Sequence, residues 1–84
     1  MKIILENNIG STKYKYCLVL CGDGTIDNPR WCIANFSNKK PAVKILNFLN
    51  WHQKRFGEFA TIEDCATRLA NACSQAKINY MPGV

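Results

Sequence analysis

The chain has 84 residues, of which 48% are hydrophobic and 20% charged, and its formal net charge is +5. This length fits one domain rather than two, so we expect a single domain over residues 1–84. The composition excludes a disordered chain, and no apolar run approaches the ~20 residues that a membrane-spanning helix needs.

Three strands are predicted in the first part of the chain. Residues 2–6 form a short strand, with Ile3 and Leu5 on one face and Ile4 on the other, and residues 14–21 form the clearest strand. The second half of that strand is apolar on both faces, which is typical of a central strand. Turn signals at residues 22–24 and 28–29 precede a third strand over residues 31–36, which we expect to pair with the second as a hairpin.

A first helix is predicted after the third strand. Ser37 or Asn38 can cap its start, and Pro41 falls in its first turn, where no backbone N–H is required. The helix is expected to run to residue 55 or 56, because Gly57 is a typical C-terminal stop. A long amphipathic helix is therefore the first element of the second half.

A second helix is predicted to start at Thr61, whose side chain can cap the N–H of Asp64. It should end at residue 76 or 77, and the tail over residues 79–84 is expected to be irregular. The predicted fold is α+β: a three-stranded antiparallel sheet (βββ) followed by two helices packed on one face, in the order βββαα.

The first helix has apolar side chains on two sides. At 100° per residue, its expected core face consists of Ala42, Ile45, Leu46, Leu49 and Phe56. An almost opposite stripe consists of Lys44, Phe48, Trp51 and Arg55. Burying a Phe or Trp side chain stabilises a structure by a few kcal/mol, so we expect Phe48 and Trp51 to be covered by other residues. Either the first strand, the tail or the second helix covers it, or a partner molecule does.

The positive charge is concentrated around that helix, because residues 28–57 contain no acidic residue. Such a segment favours an acidic partner, either nucleic acid or an acidic protein face, although it can also be a solvated face without a partner. The candidate binding residues are Lys44, Phe48, Trp51 and Arg55, flanked by Arg30, Trp31, Lys39, Lys40 and Lys54.

No catalytic constellation is recognisable, so we expect a protein that is not an enzyme and that uses no cofactor or metal. The best zinc set is Cys17, Cys21, Cys32 and His52. Cys17 and Cys21 would lie about 13 Å apart on one strand, which is too far for one ion. Small buried apolar thiols are the simpler interpretation of the five cysteines. A zinc or thiol site remains an alternative hypothesis.

The βββα order with Trp31 in the third strand is similar to small three-stranded DNA-binding modules. A small basic domain rich in Lys, Asn and Ile also resembles phage-encoded accessory proteins, some of which inhibit host defence complexes. This resemblance implies a cytoplasmic, anti-CRISPR-like inhibitor that docks on a host protein or nucleoprotein complex. The alternative is a module that binds DNA or RNA directly.

The lack of a signal peptide and the odd number of cysteines also favour the cytoplasm.

Overall fold

The computed structural model describes residues 2–21 and 30–83, and the predicted turns at residues 22–24 and 28–29 lie outside them. The elements in chain order are β1 (Lys2–Asn7), β2 (Tyr16–Cys21), β3 (Trp31–Phe36), α1 (Lys39–Phe56), α2 (Ile62–Ala76) and β4 (Met81–Pro82). The predicted α+β architecture of three main strands followed by two helices is confirmed. The prediction of an irregular tail was wrong, because β4 adds a short fourth strand to the sheet.

The strands form one antiparallel sheet in the order β1-β2-β3-β4. β2 is an internal strand, as its two apolar faces predicted. The register between β2 and β3 shifts at a bulge, where Leu18 lies opposite Ala34 and Val19 lies opposite Cys32. Ile33 is the extra residue, and both Ile33 and Ala34 are buried. The bulge thus lets two consecutive residues of β3 enter the interior.

The two faces of the sheet have different surroundings. Leu18 and Leu20 belong to the core that the helices share, whereas Cys17 and Val19 are buried but lie outside that core. Because side chains alternate along a strand, this difference defines a helix face and an outer face of the sheet. Both helices therefore pack on one face, as predicted.

The end of each helix has a specific local cause. α1 starts after Asn38, which makes no side-chain capping hydrogen bond, and ends at Gly57, whose positive φ of 95° suits glycine. α2 starts after Thr61, whose Oγ1 accepts a 3.1 Å hydrogen bond from the N–H of Asp64. Its last carbonyls accept from the N–H of Lys77 in the left-handed conformation. The predicted helix bounds are confirmed.

The tail closes the fold on the β3 side. The Tyr80 ring stacks on Phe36 with centroids 6.1 Å apart, and the N–H of Gly83 donates to the carbonyl of Ile33 at 3.2 Å. α1 lies nearest β1 and β2, while α2 contacts α1 and β3. This arrangement leaves one flank of α1 above the β1 edge of the sheet and the other against α2.

Candidate binding surface

The C-terminal part of α1 extends past the hydrophobic core. Its buried residues are Ala42, Ile45 and Leu49, and none of its residues from 50 to 56 is buried. The assignment of Phe56 to the core face was wrong, since this side chain is 66% exposed. Phe56 has the angular position of a core residue, but the core ends at Leu49, about two turns earlier.

Five aromatic side chains at the end of α1 and just after it form a series of ring contacts, which we call the aromatic cluster: Phe48, Trp51, His52, Phe56 and Phe59. The Trp51 ring lies 6.1 Å from Phe48 and 6.0 Å from Phe56, and it meets Phe56 edge to face. His52 stacks on Phe59 at 5.1 Å with an interplanar angle of 6°. The contacts restrict all five rings to one patch.

The cluster has a buried base and an exposed rim. Phe59 is buried, and Phe48 and His52 are half-buried. Trp51 is 54% exposed, so neither β1, the tail nor α2 seals its indole. A rigid base beneath exposed rings is typical of a contact surface, because the rings lose little conformational freedom when a partner covers them.

Phe48 separates the predicted stripe into two parts. It packs against the core and lines a shallow groove with Lys44 and the small α2 residues Ala72 and Ala76. The second helix therefore flanks the Phe48 side of the stripe, with a shallow groove between them. The open part of the surface is centred on Trp51 instead.

Exposed cations surround the open part. Lys44, Lys54 and Arg55 are exposed on α1, and the Arg55 guanidinium lies 5.6 Å from the centroid of the Phe56 ring. This distance permits a cation–π interaction that orients the Arg55 side chain over the rim of the cluster. Because α1 contains no acidic residue, the helix itself adds only positive charge to the apolar surface around Trp51.

A cleft of about 410 Å³ lies between the end of α1 and α2. Its walls are aromatic on one side and polar on the other, and they consist of His52, Phe56, Gly57, Glu58, Phe59, Ala60, Asp64, Thr67, Arg68 and Asn71. His52 Nδ1 is buried without a hydrogen-bond partner in the described part of the chain. The imidazole therefore functions here as a packed ring, with Phe48, Phe56 and Phe59 around it.

Two of the flanking candidates on α1, Lys39 and Lys40, lie at the opposite end of the helix from Trp51. Lys39 and Lys40 are exposed in the first turn, about 17 Å along the axis from Trp51. Cations at a helix N-terminus interact unfavourably with the helix dipole. Their position therefore does not bring them to the aromatic cluster.

The sheet candidates lie elsewhere. Arg30 forms an ion pair with Glu6, which lies opposite Cys17 on the outer face of the sheet. Trp31 starts β3 opposite Leu20 and is 43% exposed. The structure therefore brings Trp51, Phe48 and Arg55 together, with Lys44 and Lys54 nearby, and leaves the sheet candidates outside that surface.

The five free thiols lie in two places. Cys17, Cys21 and Cys32 follow the outer face of the sheet, while Cys65 and Cys73 are buried in the core. Burial raises the pKa of Cys17 to about 11, with neighbouring Cys32 adding to the shift. Burial likewise raises the pKa of the Cys65 and Cys73 thiols to about 11. These thiols are protonated, poor nucleophiles at neutral pH.

The zinc hypothesis combines residues from both layers of the fold. His52 belongs to the helix layer, and its three cysteine partners follow the outer face of the sheet. Across residues 2–21 and 30–83, no three His, Cys, Asp or Glu side chains are placed to hold one metal ion. The described residues thus give no support to the zinc alternative.

Sequence reasoning missed three members of the aromatic cluster. Phe56 was assigned to the core, His52 was named as a possible zinc ligand, and Phe59 follows the helix. A usable signal was present, because Phe48, His52 and Phe56 follow each other at intervals of four residues, which places them along one side of a helix.

Comparison with known proteins yields no relative: no family model, no curated protein and no solved structure matches the chain. In the described part of the chain, neither helix has the length and apolar character required to cross a membrane. Any function must therefore be argued from the surface itself.

Proposed function

We propose that this chain is a non-enzymatic binding protein whose contact surface is the open part of the aromatic cluster, centred on Trp51 and Phe56. The observation that carries the proposal is the exposure of these two large rings, 54% and 66%, at the end of a helix that extends past its own core. Trp is among the residues that contribute most to protein interfaces when a partner excludes water from them.

The charge around the rings indicates the kind of partner. Lys54 and Arg55 accompany the exposed rings, and Lys44 lies about two turns from Trp51 toward the start of α1. Positive charge accelerates encounter with an acidic partner, while the aromatic area supplies most of the affinity. We propose a host protein or nucleoprotein complex as the target. On this proposal the chain inhibits a defence or nucleic-acid-processing complex by occupying its surface, as anti-CRISPR proteins do.

Direct binding of single-stranded nucleic acid is the second candidate. The specific observation in its favour is that Trp51 and Phe56 are exposed beside Lys54 and Arg55, since bases stack on aromatic rings while cations contact phosphates. This candidate requires affinity for free nucleic acid, whereas docking on a protein surface does not.

A tryptophan reporter separates the two candidates. The chain has two tryptophans, so Trp31→Phe leaves Trp51 as the single indole. Titration with single-stranded DNA and RNA of about 16 nucleotides should quench this fluorescence if bases stack on Trp51. The affinity should then fall steeply with salt. Unchanged fluorescence at low salt would eliminate direct nucleic-acid binding.

The inhibitor proposal is tested with purified CRISPR effector ribonucleoproteins and a cleavable DNA target. The chain should bind one of them and slow cleavage, and Trp51→Ala should weaken binding by roughly 30-fold, as expected for an interface hot spot. The matched control is Trp31→Ala, which removes the other exposed indole. Equal losses in both variants, or full binding by Trp51→Ala, would reject the aromatic cluster as the contact surface.

A further inference from the structure

β1 is an open edge of the sheet. In the described part of the chain β1 pairs only with β2, and its register runs without interruption from Lys2 to Asn7. Alternate residues of such an edge strand direct unpaired N–H and C=O groups away from the sheet. Edge strands are commonly protected by proline, a bulge or charged side chains. β1 has neither a proline nor a bulge, and its two charges, Lys2 and Glu6, are of opposite sign.

The sequence of β1 is complementary to itself. If two copies pair antiparallel about a two-fold axis at Ile4, Lys2 of each copy lies opposite Glu6 of the other. Ile3 then lies opposite Leu5, and Ile4 opposite Ile4. Lys2, Ile4 and Glu6 would meet on the outer face, while the two Ile3–Leu5 pairs would meet on the helix face. No like charges face each other in this register.

The helix above the edge is compatible with the same contact. Phe48 faces α2, so the flank of α1 about 160–220° around the helix from Phe48 lies above β1. That flank carries the uncharged residues Val43, Leu46 and Asn50, and Lys39 lies on it at the start of α1. Val43 and Leu46 are half-buried, so a second copy could cover further apolar area there.

We infer that β1 is an interface between two copies of this chain, which pair antiparallel through Lys2–Asn7 into one continuous sheet. We assign the partner as a second copy because Lys2 faces Glu6 when β1 pairs antiparallel with itself. The interface is independent of the aromatic cluster, since Trp51 is not part of the flank above β1. A contact of one strand and one helix flank is small, so the dimer should be weak and reversible.

Analytical ultracentrifugation with charge variants tests the pairing and its register. The wild type should shift from the 9.5 kDa monomer towards twice that mass between about 10 µM and 1 mM. Lys2→Glu places two carboxylates opposite each other at both symmetric positions, and Glu6→Lys places two ammonium groups opposite each other there. Each variant should dimerise at least about tenfold more weakly than the wild type.

Mixing the two single variants should restore association, because each introduced charge then faces the opposite charge of the other chain. The double variant Lys2→Glu/Glu6→Lys should recover the homodimer for the same reason. Lys40→Glu carries the same charge change at an exposed position of α1 and should leave association unchanged. Glu6→Lys also loses the Arg30 ion pair, so circular dichroism checks its fold. If that variant unfolds, the pairing is judged from the association of Lys2→Glu alone, because this variant retains the ion pair.

Two results would overturn the interface. A wild type that stays monomeric at about 1 mM would show that β1 does not pair with itself. A dimer whose affinity is the same in wild type and Lys2→Glu, or which Lys40→Glu weakens equally, would show that copies associate through another surface.

Discussion

Glu6 on β1 and Arg30, the residue before β3, form an ion pair that reaches across β2 on the outer face of the sheet. β2 contributes Cys17 and Val19 to that face, and both are buried although they lie outside the core that the helices share. The pair therefore connects the two strands beside β2 above an apolar surface. It also assigns Arg30 a structural partner, although its charge had suggested a role in binding.

The ion pair should stabilise the fold only weakly. Its side chains are 50% and 37% exposed, and exposed pairs of this kind contribute less than about 1 kcal/mol. A double-mutant cycle with Glu6→Gln and Arg30→Gln, measured by urea unfolding, should give a coupling energy in this range. The coupling should decrease as salt is added. A coupling above about 2 kcal/mol that is insensitive to salt would contradict this assignment.

Truncation of neighbouring residues on α1 should separate the binding surface from the core. Leu49 is fully buried, so Leu49→Ala should lower the free energy of unfolding by about 2–5 kcal/mol. Trp51→Ala should cost about 1 kcal/mol or less, because the indole is already half in water. Urea unfolding of both variants measures the difference. If the two losses were similar, Trp51 would be part of the core and the proposed contact surface would fail.

The two helix N-termini should respond differently to cap removal. Thr61 accepts a hydrogen bond from the N–H of Asp64, so Thr61→Ala should lower the free energy of unfolding by about 1 kcal/mol. Asn38 occupies the equivalent position of α1 but makes no side-chain capping bond, so Asn38→Ala should cost only a few tenths of that amount. Thermal unfolding compares the pair, and equal losses would contradict the difference in capping.

The buried thiols should make the protein less stable in alkaline solution. The pKa of the Cys17, Cys65 and Cys73 thiols is about 11 in the fold, against an ordinary value of 9.0. The folded state therefore keeps protons that the unfolded state releases. The stabilisation is fully present below pH 9 and is lost as the pH rises from 9 towards 11. Unfolding midpoints in urea at about pH 8 and pH 10 measure the decline.

A single substitution isolates one thiol from other groups that titrate in this range. Cys65→Ala removes one of the three buried thiols, so the loss of stability between about pH 8 and pH 10 should shrink relative to the wild type. The matched control is Cys21→Ala, which removes a half-buried thiol on the outer face of the sheet. An unchanged pH dependence in Cys65→Ala would show that this thiol does not contribute.

The fold was largely predictable because its signals are local. Gly57 marks the end of α1, and the Thr61–Asp64 spacing marks the start of α2. The apolar residues on both faces of β2 similarly predicted an internal strand. Such signals depend on residues a few positions apart, so they do not need the tertiary structure.

The errors arose where tertiary structure decides. The tail residues Met81 and Pro82 show no strand pattern, and they pair with β3 only because the chain returns there after α2. Phe56 has the helical position of a core residue, but periodicity does not reveal where the core ends. Arg30 was grouped with the cations of α1 because charge along the chain ignores which face of a strand a side chain occupies.

The placement of both helices on one face of the sheet has a consequence for recognition. A two-fold axis between antiparallel β1 strands is perpendicular to the sheet and keeps both helix layers on the same side. A dimer of this kind is bivalent: it presents two Trp51 patches in one direction and can engage a repeated or symmetric target twice. The gain in apparent affinity would then come from the second attachment, without any additional contact within either one.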